Sequence, residues 1–91
     1  MIEYKIRFAT EAEEHIEYFK KTGQKNILNK IYKLLEELTK HPKIGTGKPE
    51  YLKYRKRWSR RIDSEHRLEY EIYDDVVVVL VLSAFGHYEE K

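Results

Sequence analysis

Residues 2–8 alternate strictly, with Ile2, Tyr4, Ile6 and Phe8 on one side and Glu3, Lys5 and Arg7 on the other. That period of two predicts a strand with one buried face. Thr10 then reads as an N-cap, and Glu13 three residues later completes a capping box. The first helix is expected over residues 11–21, with Ala12, Ile16 and Phe19 as a narrow apolar stripe. Thr22-Gly23 ends it, because glycine tolerates the left-handed conformation past a helix end. The second helix, residues 24–40, carries Ile27, Leu28, Ile31, Leu34, Leu35 and Leu38 on one face. His41-Pro42 stops it. Two helices joined by so short a link form an antiparallel hairpin, and its apolar face needs a sheet to cover.

Residues 43–57 read as irregular, broken by Gly45, Gly47 and Pro49. A short strand is expected at 58–62 and a turn at Asp63-Ser64-Glu65. In the next strand Leu68, Tyr70 and Ile72 alternate with Arg67, Glu69 and Glu71. After Asp74-Asp75, residues 76–85 form the last strand. The order is β-αα-βββ in a single domain spanning residues 1–91, an α+β fold with a helical hairpin on a small, mostly antiparallel sheet. The run Val76-Val77-Val78-Val79-Leu80-Val81-Leu82 is apolar on both faces. A sheet packed on helices from one side buries only alternate residues. The second face therefore calls for a cover, which the loop 43–57, a second copy in a homodimer, or another partner could supply.

Composition narrows the classes. The chain has 91 residues, 41% hydrophobic and 37% charged, which suits one small core under a very polar surface. It has no cysteine, so disulfides and thiolate metal sites are excluded. His15, His41, His66 and His87 show no zinc-binding spacing, and no metal or other cofactor is expected. The N-terminus has no run of signal length, and the longest apolar run is too short to span a bilayer, so a cytoplasmic protein without a membrane partner is expected. The net charge of +2 hides an asymmetry, because six of the nine residues 53–61 (KYRKRWSRR) are Lys or Arg. Such a local field points to an anion-binding face.

Three residues could carry chemistry there. Glu50 follows Lys48-Pro49 in a glycine-rich loop, Arg67 lies on the polar face of its strand beside Glu69, and His87 follows Gly86. Alone, each has an ordinary explanation: a solvated carboxylate, an exposed ion pair, a terminal histidine. Together they match the needs of metal-free RNA cleavage. A base takes the 2′-OH proton, an acid protonates the leaving 5′ oxygen, and a cation stabilises the charge on the pentacoordinate phosphate. Trp58, Tyr51, Tyr54, Tyr70 and Tyr88 offer faces for unpaired bases. This mixture of charge and rings does not separate RNA binding from RNA cutting.

The string GTGKPEYLK, then WSRRIDSEHRLEYEI, then SAFGHY at the C-terminal end closely resembles the YoeB/Txe toxins of the RelE superfamily. The pieces occur in order, and the β-αα-βββ reading matches over essentially the whole chain. Residues 1–42 share the pattern without diagnostic residues, and the tail Glu89-Glu90-Lys91 extends past the His-Tyr pair. The resemblance implies a RelE-like, microbial-RNase-like fold. It also implies the toxin half of a type II toxin–antitoxin pair, an endoribonuclease that enters the ribosomal A site, cleaves mRNA there and inhibits translation. By the same resemblance Glu50 would be the general base and His87 the general acid. Arg67 would stabilise the transition state, and Tyr88 would orient or stack the substrate. Lys48, Lys53, Arg60 and Arg61 would hold RNA phosphates, and a cognate antitoxin with an acidic tail would wrap the toxin. The competing expectation is a non-catalytic RNA- or ribosome-binding module, or an antitoxin-binding repressor subunit.

Overall fold

A computed structural model describes residues 2–86. Its order is β1 (Lys5–Phe8), α1 (Thr10–Lys21), α2 (Lys25–Lys40), β2 (Glu50–Leu52), β3 (Arg57–Arg61), β4 (Arg67–Tyr73) and β5 (Val78–Ser83). The five strands form one sheet in the order β1-β5-β4-β3-β2. β1 runs parallel to β5, and the other pairs are antiparallel. This is the expected α+β class, two helices on a mixed sheet.

Both helices cover the same face. Phe19 from α1 and Ile31, Leu34 and Leu38 from α2 are fully buried against Leu68, Tyr70, Val79 and Val81. Burying each large aliphatic or aromatic side chain contributes roughly 1.5–3 kcal/mol, so this layer dominates the stability. Tyr70 and Leu68 mark the inward positions of β4. Through the register they put Trp58 and Arg60 of β3 inward as well. The alternate residues Arg57, Ser59, Arg61, Arg67 and Glu69, with Glu50 on β2, therefore lie on the face away from the helices.

Several elements depart from the sequence expectation, each for a tertiary reason. Ala9, not Thr10, is the N-cap of α1, and no side chain caps the helix. Ala9 donates its N–H to Val81 O at 2.8 Å, so sheet pairing holds it extended (ψ 155°) and the helix begins one residue early. The second helix starts at Lys25, with Gln24 as its cap. The segment 43–57 is not wholly irregular, because Glu50–Leu52 adds an edge strand to the sheet. β5 is shorter than the apolar run. Val77 has φ 55°, outside strand geometry, and Val76 is exposed in the preceding turn. Within β5, Val79 and Val81 are fully buried, while Val78, Leu80 and Leu82 are half-buried. The chain's own fold thus covers the second face of that strand only in part. The ladder with β4 also shifts register between Glu69 and Tyr70. Past the shift, Ser83 stands opposite Glu69, and Ala84 turns into the core.

Candidate active site

The loop that delivers Glu50 is set by glycine and by one buried arginine. Gly47 has φ 85°, and a Cβ there would stand 2.8 Å from Arg61 O. Only glycine allows its carbonyl to accept the Arg61 N–H at 2.6 Å, which docks the loop onto β3. Three residues later Glu50 opens β2, directly opposite Ser59.

Arg60 ties down the same loop from inside. Its side chain is fully buried and makes five hydrogen bonds. It donates to the carbonyls of His41 (2.5 Å), Ile44 (2.7 Å) and Thr46 (3.4 Å), to Tyr70 Oη (3.1 Å) and to Glu37 Oε1 (2.9 Å). Glu37 also accepts the Thr46 N–H and hydroxyl at 2.8 and 2.6 Å. Partial burial pushes the Glu37 carboxyl up. The two Thr46 hydrogen bonds and the Arg60 guanidinium outweigh that and hold it below the usual carboxylate range. Arg60 is therefore removed from the phosphate-binding set. The parity of β3 points it into the core, and its donors are spent on the loop. Lys48, Lys53 and Arg61 are exposed.

On the open face the register brings Glu50 and Arg67 together. Arg67 Nη1 lies 3.8 Å from Glu50 Oε1, with the Glu50 side chain 53% exposed and that of Arg67 21%. Glu69, two residues along the same strand as Arg67, pairs elsewhere. Glu69 is 4% exposed and accepts from Arg55 at 2.9 Å and Arg57 at 3.1 Å. Arg61 stands directly opposite Arg67. Two like charges facing across a ladder repel unless an anion lies between them.

The end of the described chain is strapped to this row. Arg67 N–H donates to Gly86 O at 2.9 Å, and Gly86 N–H donates to His66 Nδ1 at 2.7 Å. Ala84 N–H donates to His15 Nδ1 at 3.1 Å. The Phe85 ring packs against Tyr18, Phe19, His15 and His66 at centroid distances of 5.1–5.8 Å. Gly86 is thereby held beside Arg67. His87 and Tyr88 lie outside the described residues.

A family model described as the YoeB-like toxin of bacterial type II toxin-antitoxin systems matches residues 8–88. The chain belongs to this family of toxins. A YoeB toxin of Synechocystis sp. is 40% identical over 87 residues, covering 93% of this chain and 98% of the relative. Among solved structures, a YoeB/ParE toxin from Agrobacterium tumefaciens superposes with a TM-score of 0.86 at 30% identity, covering 92% of this chain and 99% of the other. The toxin of a heterotetrameric YoeB-YefM toxin-antitoxin complex from Staphylococcus aureus superposes with a TM-score of 0.79 at 35% identity, covering 93% and 98%.

Within this YoeB-family chain, sequence reasoning missed His15 and His66 as anchors of the C-terminal segment, and Arg55, Arg57 and Glu69 as a cluster. A period-two signal for the cluster existed, since Arg57, Ser59 and Arg61 share one face of a strand. The partner, Glu69, required the register. Among the described residues no group of three or more His, Cys, Asp or Glu is placed to hold a metal ion. No helix there is long and apolar enough to cross a membrane.

Proposed function

We propose that the chain is a ribosome-dependent endoribonuclease that cleaves mRNA in the A site and so inhibits translation. The observation that carries this reading is the 3.8 Å approach of Arg67 to Glu50 on an open, basic face, with Gly86 bonded to the Arg67 backbone. In the proposed reaction Glu50 takes the 2′-OH proton, and the 2′ oxygen attacks the adjacent phosphorus. The guanidinium of Arg67 stabilises the pentacoordinate phosphate. His87, covalently next to Gly86, protonates the departing 5′ oxygen, and Tyr88 orients or stacks the substrate. The products are a 2′,3′-cyclic phosphate and a 5′-hydroxyl, and no water is consumed in this step. Lys48, Lys53 and Arg61 hold flanking phosphates of mRNA or ribosomal RNA. Facing Arg61 and Arg67 across β3 and β4 supports that reading, since an anion between them relieves their repulsion.

The toxin would act as a single domain in the cytoplasm, where ribosomes are, and would pair with a small antitoxin as the S. aureus toxin does with YefM. An acidic antitoxin segment suits the exposed cations of the same face.

The test is primer extension on an mRNA in a purified translation system, with parent protein and His87→Ala. New 3′ ends at A-site codons that vanish in the variant are expected. Translation blocked while the mRNA stays whole would favour the non-catalytic binding module.

A further inference from the structure

Glu69 is a carboxylate with 4% exposure on the sheet face away from the helices. A charge so buried is costly unless paired. It is paired twice, since one oxygen accepts from Arg55 Nη2 at 2.9 Å and from Arg57 Nη1 at 3.1 Å. Arg57 lies on β3, and Arg55 reaches Glu69 from the turn between β2 and β3. Two positive charges against one negative leave the cluster positive. Both guanidinium groups remain partly open, with side-chain exposures of 42% for Arg55 and 29% for Arg57. Buried Arg57 Nε and Ser59 Oγ have no hydrogen-bond partner among the described residues. Buried polar atoms of this kind normally find one.

The cluster sits in the same cross-strand array as the candidate chemistry. Ser59 stands between Glu50 and Glu69 in register. Arg57 lies two residues along β3 from Ser59, about 7 Å at strand spacing. That step is comparable with one nucleotide of RNA backbone.

We propose that Arg55 and Arg57, held in place by Glu69, form a subsite that takes a backbone phosphate neighbouring the scissile one. The ligand is single-stranded RNA, and the inference rests on the nuclease reading only for which phosphate is the scissile one. The guanidinium fork suits a phosphate better than a lysine ammonium would. Fixing it on a buried carboxylate removes the freedom that a long side chain otherwise loses on binding.

The chain has one tryptophan, Trp58, which follows Arg57 on β3, so its fluorescence reports on a ligand held at Arg57. The experiment titrates the full-length toxin with a 2′-O-methyl RNA hexamer, which lacks the attacking hydroxyl. The parent should show quenching that saturates. Replacing Arg55 and Arg57 alone would strand a buried carboxylate, so the main variant is the triple Arg55→Ala, Arg57→Ala, Glu69→Leu. Its midpoint should rise at least tenfold. The slope of log affinity against log salt should flatten by about 0.7 for each phosphate that the variant no longer neutralises. Arg57→Lys, which keeps the charge and loses the fork, should fall between parent and triple variant. A parent that does not bind the hexamer, or a folded triple variant that binds with parental midpoint and slope, overturns the proposal. Hexamer binding abolished in the triple variant supports the subsite even if the parent leaves mRNA intact on ribosomes, and only the nuclease reading then falls.

Discussion

Arg60→Ala should lose about 3–5 kcal/mol of stability, the range for removing one partner of a buried charge pair. That is a large share of the roughly 5–15 kcal/mol typical of a whole domain. For a chain of this size the fall in Tm should be on the order of 20 °C. The reason is the network it leaves behind. Glu37 loses its counter-charge, and the carbonyls of His41, Ile44 and Thr46 lose their donor. The loop that carries Gly47 and Glu50 then loses its inner anchor. Arg60→Lys should rescue little, because one ammonium cannot reach five acceptors spread across the guanidinium plane. Urea unfolding of both variants checks this. Parental stability combined with weaker RNA binding would return Arg60 to the phosphate-binding set.

The same network predicts an acid response. The Glu37 carboxyl is held below its unfolded value, so its contribution is whole above about pH 4.3 and is lost as the pH falls through the folded value. Glu37→Gln should therefore be less stable than the parent at pH 7. It should also lose less stability than the parent between about pH 5 and about pH 3, read as the shift in urea midpoint.

The second large effect concerns chemistry. Glu50→Gln should slow single-turnover cleavage on programmed ribosomes by roughly 10²–10⁴-fold, the usual range for a positioned general base. Arg67→Ala should cost on the order of 10²–10³-fold, as removal of a transition-state stabiliser does. The Glu50 side chain is about half exposed, so the fold depends little on its charge. Its variant should keep the parental Tm and half-saturating concentration and lose only the maximal rate. The double variant should be little worse than the poorer single one, because the two groups act on one phosphate. Parental rates in Glu50→Gln would remove it as the base. A raised half-saturating concentration with an unchanged rate would make it a binding residue.

Strands and helices were legible because their periods of 2 and 3.6 are written in the order of apolar residues. Ile31, Leu34 and Leu38 could belong only to a helix face, and all three are fully buried. The long motif around Glu50, Trp58 and Arg67 also carried the family. The pairings were not legible. Arg60 and Arg61 are adjacent and chemically identical, yet one is the most buried cation of the described residues and the other is exposed. Only the register of β3 against β4 sorts them, because a slip of one residue exchanges every side chain between the two faces. The Thr10 capping box failed for a related reason, since a hydrogen bond from Ala9 to distant Val81 outweighed a local preference. Glu69 looked like the neighbour of Arg67 and instead holds Arg55 and Arg57 across two strands. The sequence by itself therefore determined every element except the edge strand Glu50–Leu52, which faces of them are apolar and which family they build. The tertiary structure decided which charges meet, because the ion pairs of Glu69 and Glu37 join residues 12 to 23 positions apart, a separation that local pattern does not encode.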